Sequence, residues 1–151
     1  MAEQSDESGK LEKRDQQIAA FFTPETLPLY RAVEEKIRTI VQAEVEIKKT
    51  QVSFGTTTQP RTGSASKFAW VWLPIRRMKN RPEHYVILTI ALGRRIESPR
   101  FVECLEPYPG RWTHHLIIQN VRDVDAEVEG WLREAVDFAE ARAHSRSRPR
   151  K

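Results

Sequence analysis

Lys67 to Leu73 reads Lys-Phe-Ala-Trp-Val-Trp-Leu, and this run constrains the fold more than any other part of the chain. Successive side chains of an extended strand point to opposite faces. Phe68, Trp70 and Trp72 are therefore expected on one face, and Ala69, Val71 and Leu73 on the other. Both sets are apolar, which suits a central strand, and Pro74 ends it by withdrawing a ladder donor. A sheet built around this strand has two apolar faces, so the supply of helices decides whether one face stays uncovered.

The rest of the chain supplies strands in series and helices at the two ends. Val52 and Phe54 alternate with Gln51 and Ser53 in a preceding strand, and the period changes to two from Val45 onward. Gly55 to Ser66 reads as a loop, and Ile75 to Glu83 as a basic, turn-like connection. His84 to Leu92 is the longest strand and stops at Gly93; Arg111 to Asn120 is the last. Phe101 to Leu105 fits a short strand or a helical turn, and Pro107, Pro109 and Gly110 make a turn. A short helical piece starts near Asp15 and leads into Phe21 and Phe22, an adjacent pair expected to dock on the core. A second helix begins at Thr26 or Pro28 and runs to Ala43, with Tyr30, Val33, Ile37, Ile40 and Val41 as its stripe and Glu34, Glu35, Lys36 and Arg38 on its wet side. A third is capped by Asp123 or Asp125 and ends near Ala141. This order predicts an α+β fold: an antiparallel four- to five-stranded sheet with N- and C-terminal helices packed mainly on one face.

A chain of 151 residues fits one domain, placed at residues 16–141 between tails 1–15 and 142–151 that are expected to be disordered. The net charge of +4 hints at nucleic acid, but its distribution weakens the hint. Arg142, Arg146, Arg148, Arg150 and Lys151 hold the excess, the first fifteen residues are net acidic, and the body is close to neutral. No apolar run approaches a membrane span and no secretory leader opens the chain, so a cytoplasmic protein without membrane contact is expected. Cys104 is the single cysteine, which excludes an internal disulfide and a cysteine-based zinc site. Phosphate-loop, G-x-S-x-G and H-E-x-x-H patterns are absent, and no cofactor or metal is expected.

The segments Lys49 to Phe54, Phe68 to Trp72, Ser98-Pro99-Arg100, Gly110 to His115 and the helix from Glu127 to Ala135 together resemble a bacterial domain of unknown function. That domain occurs alone and at the C-termini of proteins loosely labelled predicted transport proteins. The resemblance covers roughly residues 20–140 and implies no activity, and nothing in this chain supports the transport label.

His114 and His115 are adjacent on a strand, so they point to opposite faces and cannot readily share a metal. His114 shares its face with Trp112, Leu116 and Ile118 and reads as a core histidine. His115 shares its face with Thr113, Ile117 and Gln119 and is the better group for ligand binding or acid–base work. Arg94, Arg95, Arg100 and Arg111 flank sheet ends around Ser98 and suit a phosphate or carboxylate, against the plainer reading of solvated arginines paired with Glu97, Glu103 and Glu106. Lys49, Thr50 and Gln51 reach the same pocket as His115 if the register allows. Trp70 and Trp72 either pack under helices or, if exposed, stack on a ligand.

The leading expectation is a non-enzymatic binding module for an anionic ligand, either nucleic acid or a phosphorylated small molecule. Its ligand-binding residues would be Lys49, Gln51, Arg95, Ser98, Arg100, Arg111 and His115, with Trp70 and Trp72 stacking. A small enzyme using His115 as general base and a homodimer through the aromatic face are the alternatives.

Overall fold

The spacing of Tyr30, Val33 and Ile37 does set a helix, and Val41, already extended, ends it. A computed structural model describes residues 13–56, 66–74 and 83–147. The expected N-terminal tail, the loop before Ser66, the basic connection after Pro74 and the end of the C-terminal tail lie wholly or partly outside these residues. In chain order the elements are α1 (residues 13–21), α2 (Leu27–Ile40), β1 (Glu44–Ile47), β2 (Gln51–Gly55), β3 (Lys67–Trp72), β4 (Val86–Leu92), β5 (Phe101–Tyr108), β6 (Arg111–Ile118), a short 3₁₀ turn (Val121–Asp123) and α3 (Ala126–Ser147). Among the described residues no helix is long and apolar enough to cross a membrane.

The six strands form one sheet in the order β1-β2-β3-β4-β6-β5, with every neighbouring pair antiparallel. This corrects the expected four to five strands. The extra strand is β1, four residues paired only with β2, and Phe101 to Leu105 is strand rather than helical turn. β5 runs on through Pro107, which an edge strand tolerates. Pro109 and Gly110 close the β5–β6 hairpin, with Gly110 at φ +75°, the proline-then-glycine composition of a type II turn.

One core joins the helices to one face of the sheet. Ile18 of α1, Tyr30, Val33 and Ile37 of α2, and Val128, Leu132, Ala135 and Ala139 of α3 share a buried cluster with Val52, Phe54, Val71, Leu88, Ile90, Leu116 and Ile118 of the strands. Phe22 is buried and stacks on Tyr30, 4.7 Å between ring centroids, so the Phe21–Phe22 pair docks as its hydrophobicity demands. Phe68 departs from simple alternation. Phe54 pairs with Ala69 and Gly55 with Lys67, so β3 carries one extra residue there. That bulge puts Phe68 into the helix-side core together with Ala69 and Val71, while Trp70 and Trp72 stay on the other face.

Three readings along the helices change. Glu34 is buried on α2, not on the wet side. The Tyr30 hydroxyl donates to its carboxylate at 2.6 Å, and Arg38 and Arg31 approach it at 3.2 and 3.5 Å. Burial first, and the neighbouring carboxylate second, push the Tyr30 phenol far above its usual range. Thr26 makes no cap bond to α2; its hydroxyl and backbone instead exchange hydrogen bonds with Thr23 at 2.9 and 3.1 Å. Asp125 does cap α3, accepting from the Val128 amide at 3.1 Å. That helix continues to Ser147, and Arg142 is part of the packed structure. Its guanidinium donates to Ser66 Oγ and the Lys67 carbonyl, both at 3.0 Å, and lies over Phe138.

Candidate functional site: the open face of the sheet

The strand register defines what the sheet face away from the helices displays. Cα partners run in one line across all six strands: Glu46, Ser53, Trp70, Thr89, His115 and Glu103. At the β1 end of the row Lys67 pairs with Glu46 and donates to Ser53 Oγ at 2.8 Å. Lys48 at 2.7 Å, with Lys67 beside it, holds the Glu46 carboxyl down at about 2. At the centre of the row a pocket of about 580 Å³ opens.

Trp70, Trp72 and Leu73 of the β3 segment form one wall, and Pro107, Tyr108 and Arg111 at the tip of the β5–β6 hairpin form the other. Thr89 of β4 and Thr113 and His115 of β6 form the floor, with Thr50 and Gln51 at the start of β2 on the rim. The Arg111 guanidinium carbon lies 5.9 Å from the ring centroids of both Trp70 and Tyr108, so one cation ties the hairpin tip to β3. Tyr108 is 63% exposed at the edge of the pocket. Among the described residues, Arg111 is the one formally charged residue in the lining.

A hydrogen-bond chain crosses the floor. The Trp72 indole N–H donates to Thr89 Oγ1 at 2.9 Å, and Thr89 Oγ1 lies 2.7 Å from His115 Nδ1. The Trp72 ring meets the imidazole edge-on, with centroids 5.7 Å apart at 84°. Burial lowers the His115 pKa below the usual histidine value, opposed by the Glu103 carboxylate across the ladder, which favours the neutral ring. Its Nε2 makes no hydrogen bond among the described residues.

The structure gathers Gln51, Trp70, Trp72, Arg111 and His115 around this one pocket. Lys49 stands at the tip of the β1–β2 hairpin, next to the rim residue Thr50 but outside the lining. Arg95 and Ser98 line a separate hollow of about 210 Å³ beside Cys104, where Arg95 lies over Trp112 and faces Glu97 at 3.7 Å. Burial raises the Cys104 thiol pKa there. Arg100 lies on the helix side: it donates to Asp125 at 3.0 Å, to Glu127 at 2.9 Å and to the Asp123 carbonyl at 2.8 Å. Arg94 is held by Glu134 at 2.9 and 3.0 Å. The carboxylates that occupy Arg94 and Arg100 come from the α3 region, not from the Glu97, Glu103 and Glu106 that sequence proximity suggests.

His114 is fully buried; the Ile96 amide donates to its Nε2 at 3.0 Å and the Phe101 ring packs 4.8 Å away. Thr89 and Tyr108 are pocket residues that the sequence reading passed over, and Thr113 is one it placed on the His115 face without naming it as a ligand residue. Thr89 had a signal, since it is the one polar side chain in Val-Ile-Leu-Thr-Ile-Ala-Leu, the most apolar strand of the chain. Among the described residues no three His, Cys, Asp or Glu side chains are grouped to hold a metal ion.

No curated protein and no solved structure matches the chain. The model of a domain of unknown function, DUF5655, matches residues 15–139, and the chain belongs to that family.

Proposed function

We propose that the chain is a binding module whose open sheet face holds a nucleotide unit, with the ring against Trp70, Trp72 and Tyr108 and the phosphate against Arg111. One observation carries this reading: among the described residues, a pocket walled by three aromatic side chains has one cation and no carboxylate in its lining. Its volume of about 580 Å³ lies within the range of roughly 300–1,000 Å³ usual for small-ligand sites. Flat rings gain about 1–3 kcal/mol per base by stacking on aromatic side chains, irrespective of sequence. A guanidinium already held in place by two rings pairs with an oxyanion at reduced entropic cost.

The test uses the full chain titrated with adenosine and uridine 5′-monophosphates and, separately, with single-stranded oligothymidylate, followed by tryptophan fluorescence and calorimetry. Quenching that weakens with added salt is expected. Arg111→Ala should lower affinity about 10–100-fold, since hydrogen bonds to a charged partner are worth about 1.5–3 kcal/mol. Binding of the oligonucleotide alone makes the occupant a nucleic acid, and binding of the monophosphates alone makes it a small molecule. No binding of either at millimolar concentration, or a dimer in sedimentation that shields Trp70 and Trp72, overturns the reading.

A further inference from the structure

We infer that the Trp72–Thr89–His115 chain locks His115 as the tautomer with its proton on Nε2, an obligate hydrogen-bond donor that admits only ligands placing an acceptor, such as a ring carbonyl oxygen, at that point. The inference rests on the nucleotide reading for the identity of the ligand, but not for the tautomer.

An indole nitrogen can only donate, so Trp72 Nε1 must occupy a lone pair of Thr89 Oγ1. A hydroxyl has one proton to place, and among the described residues the other partner of Thr89 Oγ1 is His115 Nδ1 at 2.7 Å. If Nδ1 carried the proton, Thr89 would accept twice and its own proton would have no acceptor in the chain. Donation from Thr89 to Nδ1 satisfies all three groups. A neutral imidazole with Nδ1 accepting carries its single proton on Nε2.

The consequence reaches the chemistry of the whole pocket. Two of its polar groups, the Arg111 guanidinium and the His115 Nε2–H, are donors alone. A ring that offers a carbonyl oxygen to His115 and an oxyanion to Arg111 satisfies both; a ring that offers an N–H to His115 leaves two donors opposed in a half-buried site. The same lock works against His115 as a general base, because in this tautomer Nε2 has no lone pair to take a proton. Thr89 is thus a positioning residue that acts through the imidazole.

The test is long-range ¹H–¹⁵N correlation of the imidazole nitrogens in the full chain at pH 7.5, first alone and then with uridine 5′-monophosphate. The expected spectrum shows a protonated Nε2 and an unprotonated Nδ1 for His115, and the Nε2 signal shifts as the nucleotide binds. A protonated Nδ1 overturns the inference whether or not the nucleotide binds. A protonated Nε2 with no response to any nucleotide supports the tautomer and overturns the nucleotide reading. Thr89→Val keeps the shape of the side chain and removes the donor. It should release the tautomer into a mixture and weaken uridine 5′-monophosphate binding about 3–10-fold, the worth of one hydrogen bond. Thr89→Ser should restore both; an unchanged His115 spectrum in Thr89→Val counts against the lock.

Discussion

Trp131→Ala is expected to lower the unfolding free energy by about 3–5 kcal/mol, the usual cost of emptying a buried aromatic site. Trp131 sits near the start of α3, and its ring lies 4.5 Å from that of Phe101, the first residue of β5. Phe101 in turn packs on the buried His114 of β6. The Arg100 guanidinium covers the outer side of Trp131 at 5.7 Å while its nitrogens hold Asp125 and Glu127. Trp131 therefore joins α3 to the outermost strand of the sheet, and its removal leaves a void under Phe101 that backbone from two elements would have to move to fill. Urea unfolding followed by circular dichroism measures the loss, with an unchanged slope if the native state stays compact. Arg100→Ala should cost less, about 1–2 kcal/mol, because its ion pairs reach partly exposed carboxylates. A Trp131→Ala variant within about 1 kcal/mol of the parent would show that this junction does not hold β5.

Acidification is the second large effect. His114 and His115 both have pKa values lowered chiefly by burial. The folded chain therefore binds fewer protons than the unfolded chain, whose histidines titrate near about 6.5. The associated stability is complete above about pH 6.5 and is lost as pH falls below it toward the folded values. While a histidine stays neutral in the fold, it removes about 1.4 kcal/mol per pH unit, and two together remove roughly twice that. Urea midpoints measured between pH 7.5 and 5 should fall, and His115→Gln should make the fall shallower. The Glu46 carboxyl, held at about 2, releases its contribution as pH falls from the usual carboxylate range toward that value, so most of its effect lies at lower pH than that of the histidines. A midpoint constant from pH 7 to 5 would mean that neither imidazole is held neutral by the fold.

Face assignment by period-two alternation worked for β6 and, Phe68 apart, for β3, while β4 stood out as a long apolar run bounded by Gly93. Alternation also split His114 from His115 correctly, since register cannot change within one unbroken strand. β1 was not counted because Glu-Val-Glu-Ile is too short and too charged to stand out, and its pairing with β2 exists only in three dimensions. Phe68 misled because a bulge inserts one residue and breaks the alternation locally. Of the candidate site, Gln51, Trp70, Trp72, Arg111 and His115 were legible through face and register. Arg95, Ser98 and Arg100 were grouped with them by proximity in sequence, and the structure separates them because β5 pairs irregularly with β6 and α3 delivers carboxylates to Arg100. Thr89 was passed over because its role depends on a residue 26 positions away.

The pocket draws its lining from both central strands, a hairpin tip and the start of β2. No stretch of unfolded chain holds Gln51, Trp72, Thr89 and Arg111 together, so an occupant has affinity for the native state alone. Mass action then converts occupancy into heat resistance: a compound at a hundred times its Kd adds about 2.7 kcal/mol to the unfolding free energy. A thermal-shift screen of nucleotides and other ring-bearing anions against the intact chain thus reports native-state binding without an assay of activity, and a hit whose shift disappears in Arg111→Ala is assigned to this cavity.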